Sequence, residues 1–133
     1  MKTITNTAAN TIKTLDLETM KSAVVDALED VKAIDIRVMD VSKLTSITSY
    51  MIIASGSSNR QTKSLAHNVV VKVKELGGEV YGTEGEKEGE WVLVDLGDII
   101  VHVMQPSVRD YYNLEQLWGA AESRRTKADS KVA

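Results

Sequence analysis

The stretch Trp91-Val92-Leu93-Val94-Asp95-Leu96-Gly97-Asp98-Ile99-Ile100-Val101-His102 decides how this chain is read. Two apolar runs flank a short Leu-Gly-Asp connection, and Asp and Gly suit the tight turn of a β-hairpin. On a strand, successive side chains point to opposite faces, so Trp91, Leu93 and Asp95 share one face while Val92, Val94 and Leu96 share the other. The aliphatic set reads as core. Trp91 and Asp95 then fall on a second face, and a Trp not wholly consumed by a core is a common anchor at protein interfaces. The same residues also suit a Trp packed under a helix beside ordinary turn-forming carboxylates.

Toward the N-terminus, Leu17, Met20, Val24, Leu28 and Val31 recur at intervals of three and four, which predicts a first helix with Asp16 available as N-cap. Ile34, Ile36 and Val38 alternate with Asp35, Arg37 and Met39 as in a half-buried strand, and Tyr50-Met51-Ile52-Ile53-Ala54 reads as a more deeply buried one. After Ser55-Gly56-Ser57-Ser58, a second helical stripe of Leu65, Val69, Val73 and Leu76 ends at Gly77-Gly78. Val80-Tyr81-Gly82 is a weak strand, Gly85 to Glu90 a charged loop, and Ile99 to Met104 the second arm of the hairpin. Pro106 stops that strand. Ser107 is placed to cap a final helix carrying Tyr111, Leu114, Leu117 and Trp118.

This order argues an α+β domain, with a mixed sheet of about five strands and flanking helices. The 133 residues, 43% of them hydrophobic, suffice for one domain with a real core and are too few for two. The expected division is a flexible arm over 1–14, the domain over 15–120 and a flexible tail over 121–133. The absence of Cys removes disulfides and thiolate metal sites and fits a reducing compartment, with the cytoplasm as default. No apolar run reaches the roughly 20 residues of a membrane span, and the first residues lack a secretory signal. A net charge of −3 does not attract a phosphate backbone as a whole. The basic residues Arg124, Arg125, Lys127 and Lys131 are diluted by Glu122 and Asp129, so no sequence-specific nucleic-acid contact is expected.

Catalytic chemistry finds little footing. The Ser55-Gly56-Ser57-Ser58 turn joins a buried strand to a helix N-terminus, a geometry that favours anions, yet it lacks the P-loop lysine and the glycine spacing of a dinucleotide fingerprint. Helix capping by Ser57 or Ser58 explains the same residues. Asp95 and Asp98 flank Leu96-Gly97 and are expected to point apart, which is a poor metal pair. His67 and His102 belong to no Ser/His/Asp or Cys/His set. Tyr111, Tyr112 and Trp118 follow helical spacing and read as core before they read as a stacking platform for bases.

Four segments, taken together and in order, resemble the ribosomal silencing factor family, also called the Iojap family. They are Ala27 to Ile36, Ile53 to Gln61, Glu84-Gly85 continuing through Gly89 to His102, and Arg109 to Trp118. The resemblance implies a nucleotidyltransferase-like fold without demonstrated transferase chemistry, and no cofactor or metal is expected. It further implies binding to the large ribosomal subunit through ribosomal protein L-fourteen, which would block joining of the small subunit and lower translation when nutrients are scarce. On that basis Trp91 is the expected apolar anchor, Asp95 and Asp98 the acceptors for Lys or Arg of the partner, and His102 and Tyr112 further contacts. The same face can serve a homodimer when the partner is absent, and the sequence leaves the oligomeric state open. One departure stands out: the family commonly has Thr-Asp-Tyr or Thr-Asp-Phe where this chain has Thr48-Ser49-Tyr50. The alternatives are an assembly factor for the large subunit and a nucleotide-binding or nucleotidyl-transferring enzyme.

Overall fold

The computed structural model describes residues 15–119. The expected arm and tail, with the basic cluster at 124–131, lie outside them. Helix α1 (Leu17–Asp30) starts where Asp16 accepts a hydrogen bond from the Thr19 N–H at 3.1 Å, and it buries Met20, Ala23, Val24, Ala27 and Leu28. Strand β1 (Ile34–Asp40) and strand β2 (Tyr50–Ser55) follow, then helix α2 (Asn59–Glu75), β3 (Gly82–Glu84), β4 (Trp91–Asp95), β5 (Ile99–Met104) and the short helix α3 (Pro106–Tyr112). Residues 114–119 are helical as well. Among the described residues no helix is long and apolar enough to cross a membrane.

The strands form one mixed sheet in the order β1-β2-β5-β4-β3, with β2 and β5 parallel and the other pairs antiparallel. This is the expected α+β architecture, and it is compatible with the nucleotidyltransferase-like fold implied by the resemblance. Helices α1 and α2 cover one sheet face, where Val24, Leu28, Leu65, Val69 and Val73 pack on Ile52, Val92, Val94, Ile99, Val101 and Val103. Two side chains pin the ends of this layer: Asn68 Nδ2 donates to the Ala27 carbonyl, and Gln61 Nε2 to those of Val31 and Lys32. The other face holds a smaller cluster of Met39, Val41, Met51 and Ile53, closed by Leu114 and Trp118.

Three expectations are corrected. In β1, Ile34, Ile36 and Val38 do not form one buried face. Three steps along β1, from Ile34 to Arg37, oppose two along β2, from Ser55 to Ile53, and Asp35 takes a positive φ of 52°. This bulge breaks the alternation, leaving Ile34 and Val38 exposed and Met39 buried. The weak strand lies two residues later than expected, at Gly82–Glu84. The last helix starts at Pro106 with Gln105, not Ser107, in the cap position, and it breaks at Asn113, which adopts the left-handed conformation. That break carries Tyr111 and Tyr112 out of the core: Tyr111 is 82% and Tyr112 54% exposed.

Candidate partner-binding site

The register of β4 against β5 sets Trp91 opposite Met104 and Leu93 opposite His102, so Trp91 and His102 lie on the sheet face away from α1 and α2. The Trp91 Nε1–H donates to His102 Nδ1 at 3.0 Å, and the two rings sit 5.8 Å apart. Tyr112 lies 4.9 Å from the Trp91 ring, with Tyr111 edge-on to Tyr112 at 5.0 Å. Trp91 is half-buried. Beside this aromatic row is a shallow notch of about 260 Å³ lined by Glu90, Trp91, Ser107, Val108, Tyr111 and Tyr112. A larger groove of about 480 Å³ lies between α2 and β3. It has Lys63, His67 and Lys74 on its helical wall and Glu86 opposite, so it offers no surface of a single charge.

His102 was expected as a contact residue, but it is buried. Burial pushes its pKa down to about 4, which keeps the imidazole neutral and its Nδ1 free to accept from Trp91. Its place is under the site, orienting the indole.

The two carboxylates sit elsewhere. Asp95 is four residues along β4 from Trp91, about 13 Å at strand spacing, and its Oδ1 accepts from the Gly97 N–H at 2.9 Å. It is a turn former with one oxygen already engaged. Asp98 is exposed in the turn, while its carbonyl accepts from the N–H groups of Ser49 and Tyr50. Ser49, the departure from the family pattern, therefore sits against this turn. The Tyr81 ring stacks close over Gly97, whose φ of +84° suits glycine. Glu79 chiefly, with Asp98 and Asp95, raises the Tyr81 phenol pKa, which marks this end of the hairpin as acidic. The five expected residues thus divide into an aromatic end (Trp91, His102, Tyr112) and an acidic end (Asp95, Asp98).

Much of the Gly/Ser turn is engaged within the protein. Ser58 Oγ accepts from the Gln61 N–H, Gln61 Oε1 accepts from the Ser57 N–H at 2.7 Å, and the Gly56 N–H donates to the Met104 carbonyl. This is a reciprocal helix cap. Ser55 faces the other way: its Oγ accepts from Nη1 of Arg109 at 2.9 Å.

Arg109 is the functional-looking residue that the sequence reading passed over. It is buried, it forms a two-pronged pair with Glu115 at 2.7 and 2.9 Å, and Asp35 lies 3.6 Å away. Arg37 approaches Glu115 at 3.7 Å. The hydrogen bond from Arg109 holds the Glu115 carboxyl below the usual carboxylate range, and Glu115 in turn raises the Arg109 pKa. The available signal was Asn113 between Arg109 and Glu115, since Asn tolerates the left-handed turn that folds one back onto the other.

A family model described as "Ribosomal silencing factor during starvation" matches residues 14–133. The chain belongs to the ribosomal silencing factor family. It is 53% identical over 105 residues to the ribosomal silencing factor RsfS of Chromobacterium violaceum, covering 79% of this chain and 86% of that protein. A crystal structure of a protein from the same organism matches with a TM-score of 0.78 at 53% identity, covering 79% of this chain and 88% of that one. A mouse protein named "Mitochondrial assembly of ribosomal large subunit protein 1" is 34% identical over 97 residues, 71% of this chain and 42% of its own length. The span matched by the family model includes both ends of the hairpin and the Arg109 cluster.

Proposed function

We propose that this protein is a non-enzymatic, cytoplasmic translation repressor that binds the large ribosomal subunit through ribosomal protein L-fourteen and sterically prevents the small subunit from joining. Family membership supports the ribosome as target, and the aromatic row supports a protein partner. The observation that carries this reading is the exposed Tyr112 packed on a half-buried Trp91, with the exposed Tyr111 edge-on to Tyr112, because aromatic anchors beside an oriented indole are what protein interfaces use. The acidic end, with Asp98 exposed, suits a basic partner. The same face supports a homodimer in the free protein.

Nucleotidyl transfer has weaker support. Two N–H groups of the Gly/Ser turn, those of Gly56 and Ser57, are already engaged by Met104 and Gln61, and Asp95 turns its carboxylate toward Gly97. The assembly-factor reading draws on the name of the mouse relative. Purified subunits separate the readings. Capture of the large subunit alone, with loss of joined ribosomes on a sucrose gradient, is the expected result. Binding to neither subunit overturns the proposal, and co-sedimentation with large-subunit precursors instead of mature particles replaces it with the assembly role.

A further inference from the structure

Helix α3 has little to hold it in place by itself. Seven residues are far below the length at which an isolated helix persists in water, Gln105 makes no capping bond from its side chain, and the one side chain α3 buries is Arg109. Tyr111 and Tyr112 are mostly in solvent. The anchor of the segment that presents the aromatic row is therefore polar. Nη1 of Arg109 reaches Ser55 at the end of β2, its Nε and Nη2 take both oxygens of Glu115 beyond the Asn113 break, and Asp35 approaches from the β1 bulge.

We infer that the Arg109–Glu115 pair is a positioning clamp that fixes Tyr112 against Trp91 and so sets the shape of the face a partner meets. The inference rests on the reading of that face as partner-binding. A planar guanidinium held at two edges defines an orientation as well as a distance, whereas an apolar side chain at position 109 would hold α3 to the sheet and leave it free to slide. Buried ion pairs are weak contributors to net stability, yet removing one partner leaves a charge uncompensated. Fixing orientation is thus the role in which this pair has most effect. Tyr112 follows Arg109 by three residues on the same short helix, so rotation of α3 moves its ring off the indole.

The test pairs nuclear magnetic resonance of the free protein with binding to purified large ribosomal subunits. In Glu115→Gln, cross-relaxation between the Trp91 and Tyr112 rings is expected to disappear and the Trp91 indole N–H resonance to broaden, while resonances of α1 and α2 stay in place. Affinity for the large subunit is expected to fall at least tenfold. In a Tyr112→Ala background the same substitution is expected to change affinity less than twofold, because the ring it positions is gone. Arg109→Lys, which keeps the charge and loses the fork, is expected to give the same pattern and serves if Glu115→Gln does not fold. Intact ring contacts in the variants, or an undiminished loss in the Tyr112→Ala background, overturn the clamp. If the unaltered protein captures no large subunit, the partner-binding reading fails, and the ring contacts still decide whether the pair positions Tyr112.

Discussion

The two faces of the sheet are built on different principles. The face under α1 and α2 is a continuous apolar layer in which Ile52, Val92, Val94, Ile99, Val101 and Val103 are fully buried. The opposite face is patchy, with a small Met/Ile cluster, a buried imidazole, a buried guanidinium and an exposed aromatic row. The first holds most of the apolar core, and the second carries the polar and aromatic groups. Leu65→Ala probes the first face. Emptying that buried position of α2 is expected to cost about 2–5 kcal/mol of stability in chemical denaturation, with the folded fraction keeping its affinity for the large subunit. A loss of affinity in protein still folded would show that the faces are coupled.

His102 makes the second face sensitive to pH. Its folded pKa lies near 4 against an ordinary 6.5, so between those values the unfolded chain takes up a proton that the folded protein refuses. Stability therefore falls as pH drops from 6.5 toward 4, by a total of about 3 kcal/mol at roughly 1.4 kcal/mol per unit. Protonation of Nδ1 would also cost the bond from Trp91. His102→Gln is expected to flatten this part of a melting-temperature profile. The loss due to Glu115, whose pKa is lowered from 4.5, comes at lower pH as that carboxylate takes up its proton. A flat profile in the unaltered protein between pH 6.5 and 5 would contradict the buried, neutral imidazole.

The contrast also explains what could be read from sequence. The helix-covered face is a matter of period: Leu65, Val69 and Val73, or Val92 and Val94, recur at the spacing of their element and land where that spacing puts them. The hairpin turn was legible for the same reason, since Asp95 and Gly97 are ordinary turn chemistry. The other face depends on departures from period. The Asp35 bulge turns Met39 inward and leaves Val38 out, and the left-handed Asn113 ends α3 and leaves Tyr111 in solvent. No local pattern announces that Arg109 will meet Ser55, 54 positions earlier, or Asp35. Only the local half of this cluster, Arg109 with Glu115 across Asn113, had a signal in the sequence, and the contacts to Ser55 and Asp35 are tertiary events. His102 was legible as a residue on the Trp91 face, but its depth there was not.

Within the second face, Trp91→Ala is expected to weaken large-subunit binding by about 2 kcal/mol, the usual cost of truncating an anchoring Trp. Because the ring is half-buried on His102 and Tyr112, a drop in melting temperature should accompany it. Full affinity with lowered stability would make Trp91 a packing residue and move the anchor to Tyr111 and Tyr112.

The smallest effect belongs to the acidic end, and it tests whether the hairpin works as one site or two. Asp95 has an oxygen engaged by Gly97, so the exposed carboxylate of Asp98 is the better placed of the two to meet a cation of the partner. An exposed pair of this kind contributes at most about 1 kcal/mol and acts more on the rate of encounter than on the lifetime of the complex. Asp98→Asn should accordingly slow association severalfold at about 0.05 M salt and have little effect at about 0.5 M, where screening shortens the reach of the charge. Dissociation should hardly change. A penalty as large as that of Trp91→Ala, persisting at high salt, would mean that Asp98 is buried against the partner. The face that binds would then extend along the whole hairpin instead of centring on the aromatic row, and the Ser49 departure beside it would gain corresponding weight in how tightly a partner is held.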